Sequence, residues 1–397
     1  MKLITLLGPT CSGKSQMSVE IAKFYQKNGE KAVIVNCDSR QIYRDLNLGT
    51  AKIDGKWQKT ELFDFGEWTE KQAGNLTKNW NEKNKSIFEN GENYQVKEGL
   101  EKEKIVKEDL NMGFDGLENS FLVESLASKM VYFWQEIPHF LIDFVPTDVN
   151  YNLVDFVQDW QILIEFLGQN DVKVVILTGG TGLWARAINQ KYDFDIIKEE
   201  FQTVWQELKK LLEQENLENL QKRYLEMLAG TETQKLNESD FQNPIRLINW
   251  ILRRTGQEQN WVIKLTYPEF ESQQVFAIKT ENDKLKSKIK LGIESRIASG
   301  LLAEVRDLLP KLGRERLWNL GLEYRQTMLF LENKLGENNL KNDNKNGIES
   351  GAANESEVTW KQSLIQENWQ YARRQKTWLT KQDLIWVENL AELLGYL

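Results

Sequence analysis

The sequence predicts an α/β protein with a doubly wound parallel sheet, an inserted all-helical domain and further helices toward the C-terminus. In the first half of the chain, short apolar runs that suit buried strands alternate with segments of helical periodicity. From residue 199 to 258 the periodicity is helical throughout. A Gly-rich turn follows the first apolar run directly, and such a turn is typical of the strand–loop–helix units of parallel sheets.

Each element follows from these patterns. The predicted strands are residues 2–7, 32–36, 140–144, 172–177 and 275–278. The predicted helices outside the helical domain are residues 15–26, 155–167, 284–309 and 361–379. Active sites of such sheets gather where the carboxyl ends of the strands meet, so the residues that follow the strands are the first candidates for chemistry.

Domain boundaries are expected where the pattern changes. Residues 1–198 form the predicted core, interrupted by an acidic insertion at about 55–133. Residues 199–272 form the helical insertion domain. Residues 273–397 return to the core and add C-terminal helices, with a flexible loop at about 333–359 that is poor in apolar residues.

The negative charge is concentrated in the two insertions. The chain has 397 residues and a formal net charge of −8. Residues 54–136 hold 11 Lys and Arg against 17 Asp and Glu, and residues 333–359 hold 3 against 5. These two segments contain the whole excess, so the rest of the chain is balanced and remains compatible with an RNA partner.

Composition argues against several classes of function. Only Cys11 and Cys37 are present, which disfavours a disulfide framework and favours a reducing compartment. The single histidine, His139, disfavours a His-rich metal site and a Ser–His triad, and is expected to be a hydrogen-bonded structural residue. No apolar run is long enough to span a bilayer and the N-terminus is unlike a signal peptide, so a cytoplasmic protein without a membrane partner is expected.

The most informative motif is the turn after the first strand. It consists of Gly8, Pro9, Thr10, Cys11, Ser12, Gly13, Lys14 and Ser15. This spacing is that of a P-loop, in which successive backbone N–H groups and a helix N-terminus surround a phosphate group. The Lys14 ammonium can bind the terminal phosphate oxygens and the Ser15 hydroxyl can hold Mg²⁺. A P-loop NTPase-like core that binds a di- or triphosphate is therefore predicted.

Three further strand ends carry candidate residues. Asp38 follows the second strand and can act as a general base across the cleft from the P-loop, although an Asp at this place is equally often a helix cap. Gly179, Gly180 and Thr181 follow the 172–177 strand, where glycines allow a ligand to approach the backbone. Asp143 ends an apolar run in a manner similar to an Asp that orders Mg²⁺. These features fit a P-loop transferase with an Asp base and a helical lid, and they fit small-molecule and nucleotide kinases equally well.

Several motifs in sequence order distinguish these alternatives. Residues 8–15 are followed by 37–43 (CDSRQIY), 48–52 (LGTAK), 137–143 (IPHFLID) and 179–183 (GGTGL). Residues 243–247 (NPIRL), 299–305 (SGLLAEV), 324–326 (YRQ) and 372–379 (ARRQKTWL) complete the series. Together they resemble the signatures of bacterial tRNA dimethylallyltransferases, also called tRNA isopentenyltransferases, over nearly the whole chain except the two insertions.

The resemblance implies a specific reaction. A dimethylallyl group moves from dimethylallyl diphosphate to the exocyclic amine of the adenosine that follows the tRNA anticodon on its 3′ side, and diphosphate leaves. Residues 8–15 then hold the leaving diphosphate with Mg²⁺ at Ser15, no nucleotide cofactor is needed, and Asp38 and Thr10 lie at the reacting centre. The resemblance places six residues against the anticodon stem-loop of tRNA: Asp38, Ser39, Arg40, Gln41, Thr181 and Arg246. A monomer is expected.

Some positions differ from the family pattern, and other functions remain open. Counting without gaps places Gly292 where the family carries an arginine that reaches diphosphate, and Lys288, Lys290 or Arg296 can take its place. The basic turn at 373–376 fits RNA phosphates and a solvated helix face equally well. The alternatives are a P-loop kinase, a prenyltransferase that acts on free adenylate, and a catalytically impaired tRNA-binding homologue.

Overall fold

The structure is a computed structural model that describes residues 1–65, 121–192, 194–229, 235–264, 266–342 and 352–397. The chain separates into two compact units. The first contains Met1–Gln190 together with Pro268–Leu397, and the second contains Lys191–Tyr267. Over the described ranges, no helix combines the length and the apolar character that are needed to cross a bilayer.

The first unit is built on one eight-stranded sheet with the order β10-β9-β1-β6-β2-β5-β4-β3. Its strands are β1 (Lys2–Leu7), β2 (Ala32–Asn36), β3 (Lys56–Lys59), β4 (Met130–Trp134), β5 (Ile137–Phe140), β6 (Val174–Thr178), β9 (Ser272–Ile278) and β10 (Ile385–Val387). The strands from β10 to β5 run parallel, and β4 pairs antiparallel with both of its neighbours. The predicted doubly wound parallel sheet is therefore confirmed, with an antiparallel hairpin added at one edge.

Helices cover the sheet of the first unit. They are α1 (Lys14–Lys27), α2 (Phe121–Ala127), α3 (Leu153–Gln169), α4 (Gly182–Asn189), α9 (Asn282–Ala298), α10 (Leu301–Leu320), α11 (Leu322–Asn342), α12 (Ala352–Leu379) and α13 (Leu390–Leu394). Every residue of β2 and β6 is buried, as their continuous apolar sequences predict for strands covered on both faces. Val19, Ile21 and Ala22 of α1 pack into the core that these strands form.

Strand register brings the three predicted strand ends to one edge. β6 pairs with β1 up to Leu6↔Thr178 and with β2 up to Asn36↔Thr178. The chain therefore leaves these three neighbouring strands at nearly the same height. This places residues 8–15, 37–41 and 178–182 side by side, and we call these segments the three site turns.

The structure corrects the predicted third strand and the extent of the acidic insertion. The strand spans Ile137–Phe140 and does not continue to residue 144, because Leu141 and Asp143 adopt positive φ angles of 54° and 56°, which a strand cannot contain. Two strands, β3 and β4, lie in the segment assigned to the insertion and extend the sheet. The rest of that segment, residues 66–120, lies outside the described residues.

Two corrections concern the C-terminal helices. The helix predicted at 284–309 is two helices, α9 and α10, because Gly300 adopts a left-handed φ of 108° that ends one and begins the next. Most of the expected loop at 333–359 is helical, since α11 continues to Asn342 and α12 starts at Ala352. Residues 343–351 lie outside the described part of the chain.

The second unit is mainly helical. It contains α5 (Gln202–Glu213), α6 (Leu217–Leu228), α7 (Glu238–Phe241) and α8 (Pro244–Glu258). These helices bury a small apolar core that includes Leu212, Leu220, Tyr224, Leu247 and Ile251. Strands β7 (Asp195–Ile197) and β8 (Val262–Lys264) pair antiparallel, so the unit adds a short two-stranded sheet that the helical periodicity did not predict.

Candidate active site

The first site turn curls between β1 and α1. Cys11 and Gly13 adopt positive φ angles of 60° and 100°, which turn the backbone sharply after Pro9. Within the described part of the chain, no side chain caps the N-terminus of α1. Its first N–H groups and the positive end of its dipole are therefore directed into this turn, where an anion is stabilised. The local geometry is that of a phosphate-binding P-loop.

Lys14 supplies the charge of this turn. Its Nζ donates to the carbonyl oxygens of Gly8 and Pro9, each at 2.9 Å. Burial lowers the pKa of Lys14, and the negative charge of Asp38 opposes that shift. The Asp38 carboxylate therefore lies within electrostatic reach of the P-loop lysine. Ser12 Oγ is buried and has no hydrogen-bond partner among the described residues, so the turn holds one further unused hydroxyl.

Asp38 is oriented by three backbone groups. Its Oδ1 accepts from Arg40 N at 3.0 Å and from Gln41 N at 3.4 Å, and its Oδ2 accepts from Gly180 N at 3.1 Å. The carboxylate thus joins its own turn to the turn after β6, and no regular helix begins behind it for it to cap. A half-buried carboxylate in a fixed orientation is suited to accept a proton from a bound nucleophile.

The second and third site turns are hydrogen-bonded to each other. Ser39 N donates to Thr181 Oγ1 at 2.9 Å, and that hydroxyl donates to Ser39 Oγ at 3.0 Å. Cys37 N donates to Thr178 O at 2.8 Å. The backbones approach so closely that a Cβ at Gly179 would lie 2.4 Å from the carbonyl carbon of Cys37. These contacts give the glycine pair a packing role.

We expect Gly179→Ala to disrupt the site. The added methyl group overlaps backbone atoms of Cys37 and Asp38, which cannot move aside as a flexible side chain can. The expected result is a loss of about 1–3 kcal/mol in the free energy of unfolding together with loss of activity. Gly168→Ala is the matched control, because its Cβ meets only the end of the Met1 side chain at 3.6 Å. Urea titration of both variants checks this, and equal stability of the two would contradict it.

The loop at residues 42–52, which follows the second site turn, is positioned by Gln41 and by Glu304 of α10. Gln41 Nε2 donates to the carbonyl oxygens of Thr50 and Ala51, both at 3.2 Å. The Glu304 carboxylate of α10 accepts from the N–H groups of residues 47, 48 and 49 and from Tyr324 Oη. The sequence reasoning missed Glu304 as a site-supporting residue, because its partners are backbone groups about 255 positions away.

Asp143, which the sequence suggested as a magnesium-ordering residue, binds two protein donors and anchors the same loop. Lys52 Nζ donates to its Oδ1 at 2.5 Å and Trp57 Nε1 donates to its Oδ2 at 3.0 Å. Lys52 also donates to Tyr43 O at 2.6 Å, and its side chain is 1% exposed. Both carboxylate oxygens thus have protein donors. Among the described residues, no group of three or more His, Cys, Asp or Glu is placed to hold a metal ion.

His139 is a structural residue, as expected. Its Nδ1 lies 2.8 Å from Ile137 O, and it is buried in β5. Burial lowers the pKa of His139 to about 4, so the imidazole is neutral at physiological pH.

Gly292 faces the P-loop. A Cβ at this position of α9 would lie 3.6 Å from Cys11 Sγ. Of the three basic candidates nearby, Arg296 is bound to Glu323 and to Leu48 O, with 11% of its side chain exposed. Lys290 pairs with Glu294 at 3.9 Å. Lys288 lies one turn before Gly292 on the same side of the helix.

Of the remaining predicted tRNA-facing cations, all but Arg40 are on exposed helix surfaces. Arg246 lies in the first turn of α8 in the second unit, where its Nε is 3.9 Å from Asp240 Oδ1 and its side chain is 65% exposed. In the first unit, Arg373 and Arg374 are exposed on α12, and Arg374 lies over the ring of Tyr371. Arg40 is half-buried in the second site turn.

Comparison with known proteins agrees with this architecture. A tRNA dimethylallyltransferase of Syntrophus aciditrophicus is 24% identical over 395 residues, covering 98% of this chain and 93% of the relative. The full-length tRNA isopentenylpyrophosphate transferase of Bacillus halodurans has a similar fold, with a TM-score of 0.51 and 17% identity over 100% of this chain and 95% of its own. A eukaryotic dimethylallyltransferase solved acting on tRNA gives a TM-score of 0.51 and 13% identity over 98% of this chain and 73% of its own.

The family itself is shown by a sequence profile. The profile described as IPP transferase matches residues 129–382, which is more than half of the chain and includes the third site turn, the second unit and helices α9 to α12. The resemblance deduced from the motifs is confirmed, and the chain belongs to the IPP transferase family.

Proposed function

We propose that this enzyme transfers the dimethylallyl group of dimethylallyl diphosphate to the exocyclic amine of the adenosine 3′-adjacent to the anticodon in tRNA. The observation that carries the proposal is the Asp38 carboxylate. It is held by three backbone N–H groups within electrostatic reach of the P-loop lysine, Lys14. The P-loop with Lys14 thus suits an anionic leaving group, and the Asp38 carboxylate is suited to accept a proton from the nucleophile. The names of the relatives mention tRNA and the dimethylallyl group, and the position of the adenosine comes from the family resemblance.

The chemistry follows from this division. The amine nitrogen forms a bond to C1 of the dimethylallyl group while the bond from C1 to the diphosphate oxygen breaks. The electron pair of that bond leaves on diphosphate, and the amine proton passes to Asp38. An adenine amine is a weak nucleophile because its lone pair is delocalised into the ring, so a positioned base assists the attack. On the family resemblance, we assign the hydroxyl of Thr10 a place beside the reacting carbon.

The P-loop stabilises the leaving group. The backbone N–H groups at the start of α1, the α1 dipole and the Lys14 ammonium are directed to the oxygens on which charge develops. Ser15, the second residue of α1, offers the kind of oxygen ligand that Mg²⁺ accepts when it completes its shell with substrate phosphates and water. When bound there, Mg²⁺ supplies additional positive charge to the diphosphate.

The tRNA contacts are assigned to the second and third site turns and to the second unit. Ser39, Arg40, Gln41 and Thr181 lie beside Asp38, and Arg246 is exposed in the second unit. The target base has to leave the anticodon-loop stack to reach Asp38, as bases do in other enzymes that modify them. The enzyme acts as a monomer on the anticodon stem-loop, in the cytoplasm where tRNA is modified.

Transfer of radiolabelled dimethylallyl to an anticodon stem-loop with adenosine at the target position tests the function. The expected product gains one dimethylallyl group by mass, and one diphosphate is released per transfer. Absence of transfer with an active positive-control enzyme would reject the proposal. ATP consumption coupled to phosphoryl transfer would instead indicate a kinase, and prenylation of free AMP would indicate an adenylate prenyltransferase. Tight tRNA binding without product would indicate an impaired homologue.

We further propose that Lys288 supplies the positive charge that Gly292 lacks above the P-loop. Lys288→Gln is expected to raise the KM for dimethylallyl diphosphate about three- to tenfold and to lower kcat by a smaller factor, because most of the negative charge of the diphosphate is already present in the bound substrate. Lys286→Gln is the matched control, since Lys286 is exposed on a different side of α9. Equal KM values for the two variants would contradict this assignment.

A further inference from the structure

Gln375, on α12, lies between the first and third site turns. Its Oε1 accepts from Thr10 N at 2.8 Å, and its Nε2 donates to Gly180 O at 3.0 Å. Gly180 in turn donates its N–H to Asp38 Oδ2 at 3.1 Å. A continuous series of hydrogen bonds therefore joins Thr10 of the phosphate-binding turn to the Asp38 carboxylate, and Gln375 is its only side-chain amide.

The chemistry of this position is restrictive. A backbone N–H can only donate and a backbone carbonyl can only accept, so the two partners determine which end of the Gln375 amide faces each of them. An ionised glutamate at this position accepts from Thr10 N but has nothing to donate to Gly180 O. A methionine has about the same length and forms neither bond. A contact made by packing alone would be nearly the same for glutamine, glutamate and methionine. Substitutions at position 375 can therefore remove one hydrogen bond or both, and so separate their contributions.

Close packing against Gly180 and Gly182 also holds α12 beside the third site turn, where Gln375 can form its hydrogen bonds. A Cβ at Gly180 would lie 2.5 Å from Asp38 Oδ2 and 3.7 Å from Gln375 Nε2. Trp378 is three residues after Gln375 and therefore on the same side of α12. Its ring lies against Gly182, where a Cβ would be 2.4 Å away. Gln375 and Trp378 thus hold the third site turn together, one by hydrogen bonds and the other by contact.

We propose that Gln375 is a positioning residue for prenyl transfer, an inference that rests on the function proposed above. It fixes the position of the turn that binds the diphosphate relative to the turn that orients Asp38. The leaving group and the proton acceptor are thereby both held at the correct distance from the attacking amine. Gln375 acts through its hydrogen bonds to Thr10 and Gly180, and Gly180 in turn holds Asp38. A misplacement of about 1 Å between reacting groups can lower a rate about 100-fold, which sets the scale of the effect.

The test compares two substitutions with a control on the same helix. Gln375→Met removes both bonds, and Gln375→Glu keeps the acceptor for Thr10 N but removes the donor to Gly180 O. Gln366→Glu introduces the same charge at an exposed position of α12, about 13 Å along the helix axis from residue 375. Amide hydrogen exchange followed by mass spectrometry reports on peptides that cover residues 8–15 and 178–182. Steady-state prenyl transfer gives kcat and KM for each variant.

We expect Gln375→Met to accelerate exchange in both peptides, and Gln375→Glu to accelerate it only in the 178–182 peptide. Both variants should lower kcat about 10- to 100-fold and change the KM for tRNA less than threefold, because Asp38 loses its alignment in both. Gln366→Glu should match the unaltered protein in both measurements.

Two results would overturn the proposal. The first is a kcat within twofold of the unaltered protein for both Gln375 variants, each shown to be folded by circular dichroism. The second is unchanged exchange in both peptides. If the unaltered protein itself transfers no dimethylallyl group, the proposed function fails, and the exchange pattern still decides whether Gln375 links the two turns.

Discussion

Asp38→Ala should lower kcat for prenyl transfer about 10²- to 10⁴-fold and change the KM for either substrate less than about threefold. The carboxylate is the proton acceptor in the proposed reaction, and it is the group that the three backbone donors hold beside the P-loop. Its contribution is greatest when the amine begins to lose its proton. Removal therefore affects the transition state far more than the bound ground state. Steady-state kinetics with varied tRNA and varied dimethylallyl diphosphate measure kcat and the KM for each substrate separately.

Asp38→Asn separates the base from the structural role. An asparagine can still accept from the N–H groups of Arg40 and Gln41, but it has no basic oxygen for the amine proton. Its kcat should be as low as that of Asp38→Ala while its stability stays closer to that of the unaltered protein. Asp171→Ala is the control. Asp171 is an exposed carboxylate that precedes β6, so it lies at the amino end of this strand, whereas the site turns follow the carboxyl ends of the strands. Full activity of Asp38→Asn, or equal losses in kcat and KM, would refute a base role.

Lys52→Met should lower the free energy of unfolding by about 2–4 kcal/mol. Lys52 is buried and binds Asp143, so its removal leaves a carboxylate oxygen without its ion-pair partner inside the protein. The expected loss is below the ~3–5 kcal/mol of fully buried pairs, since the Asp143 side chain remains 20% exposed. Activity should fall as well, because Lys52 also holds Tyr43 O in the loop after the second site turn. Urea unfolding followed by circular dichroism measures the change.

A second substitution tests whether the loss comes from the unpaired charge. Asp143→Asn removes that charge and leaves an oxygen for Trp57 Nε1. The double variant Lys52→Met/Asp143→Asn should therefore recover at least half of the stability lost in Lys52→Met. Lys279→Met removes a lysine from an exposed ion pair and should leave the unfolding midpoint unchanged. Losses that simply add in the double variant would show that the ion pair is not the cause.

Local patterns predicted the central strands well because those strands are apolar along their whole length. β1 and β2 have the predicted bounds, and β6 is shifted by two residues at its start and one at its end. The edge strands β3 and β10 were not predicted, since they are only four and three residues long, β3 is mostly exposed and β10 is only partly buried. The strand that leads to Asp143 was placed too late, because hydropathy alone does not report the positive φ angles that end it.

Candidate chemistry was predictable wherever it depends on one short segment. The P-loop turn and the acidic residue after β2 are local signals, since each follows a strand whose position the hydropathy sets. The supporting side chains are different. Glu304 and Gln375 act on backbone groups that are 195 or more positions away. A glutamate or glutamine within a helix has no local feature that distinguishes it from a solvated one.

By itself, the sequence determined the doubly wound core, the phosphate-binding turn and the family of the chain, because these depend on periodicity and on short motifs. Only the tertiary structure decided that Asp143 pairs with Lys52, that Gly292 faces the P-loop and that Gln375 joins two site turns. The physical reason is that hydrogen bonds and ion pairs between distant segments depend on strand register and helix docking. Those are set by burial over the whole unit and are not recorded in any single stretch of residues.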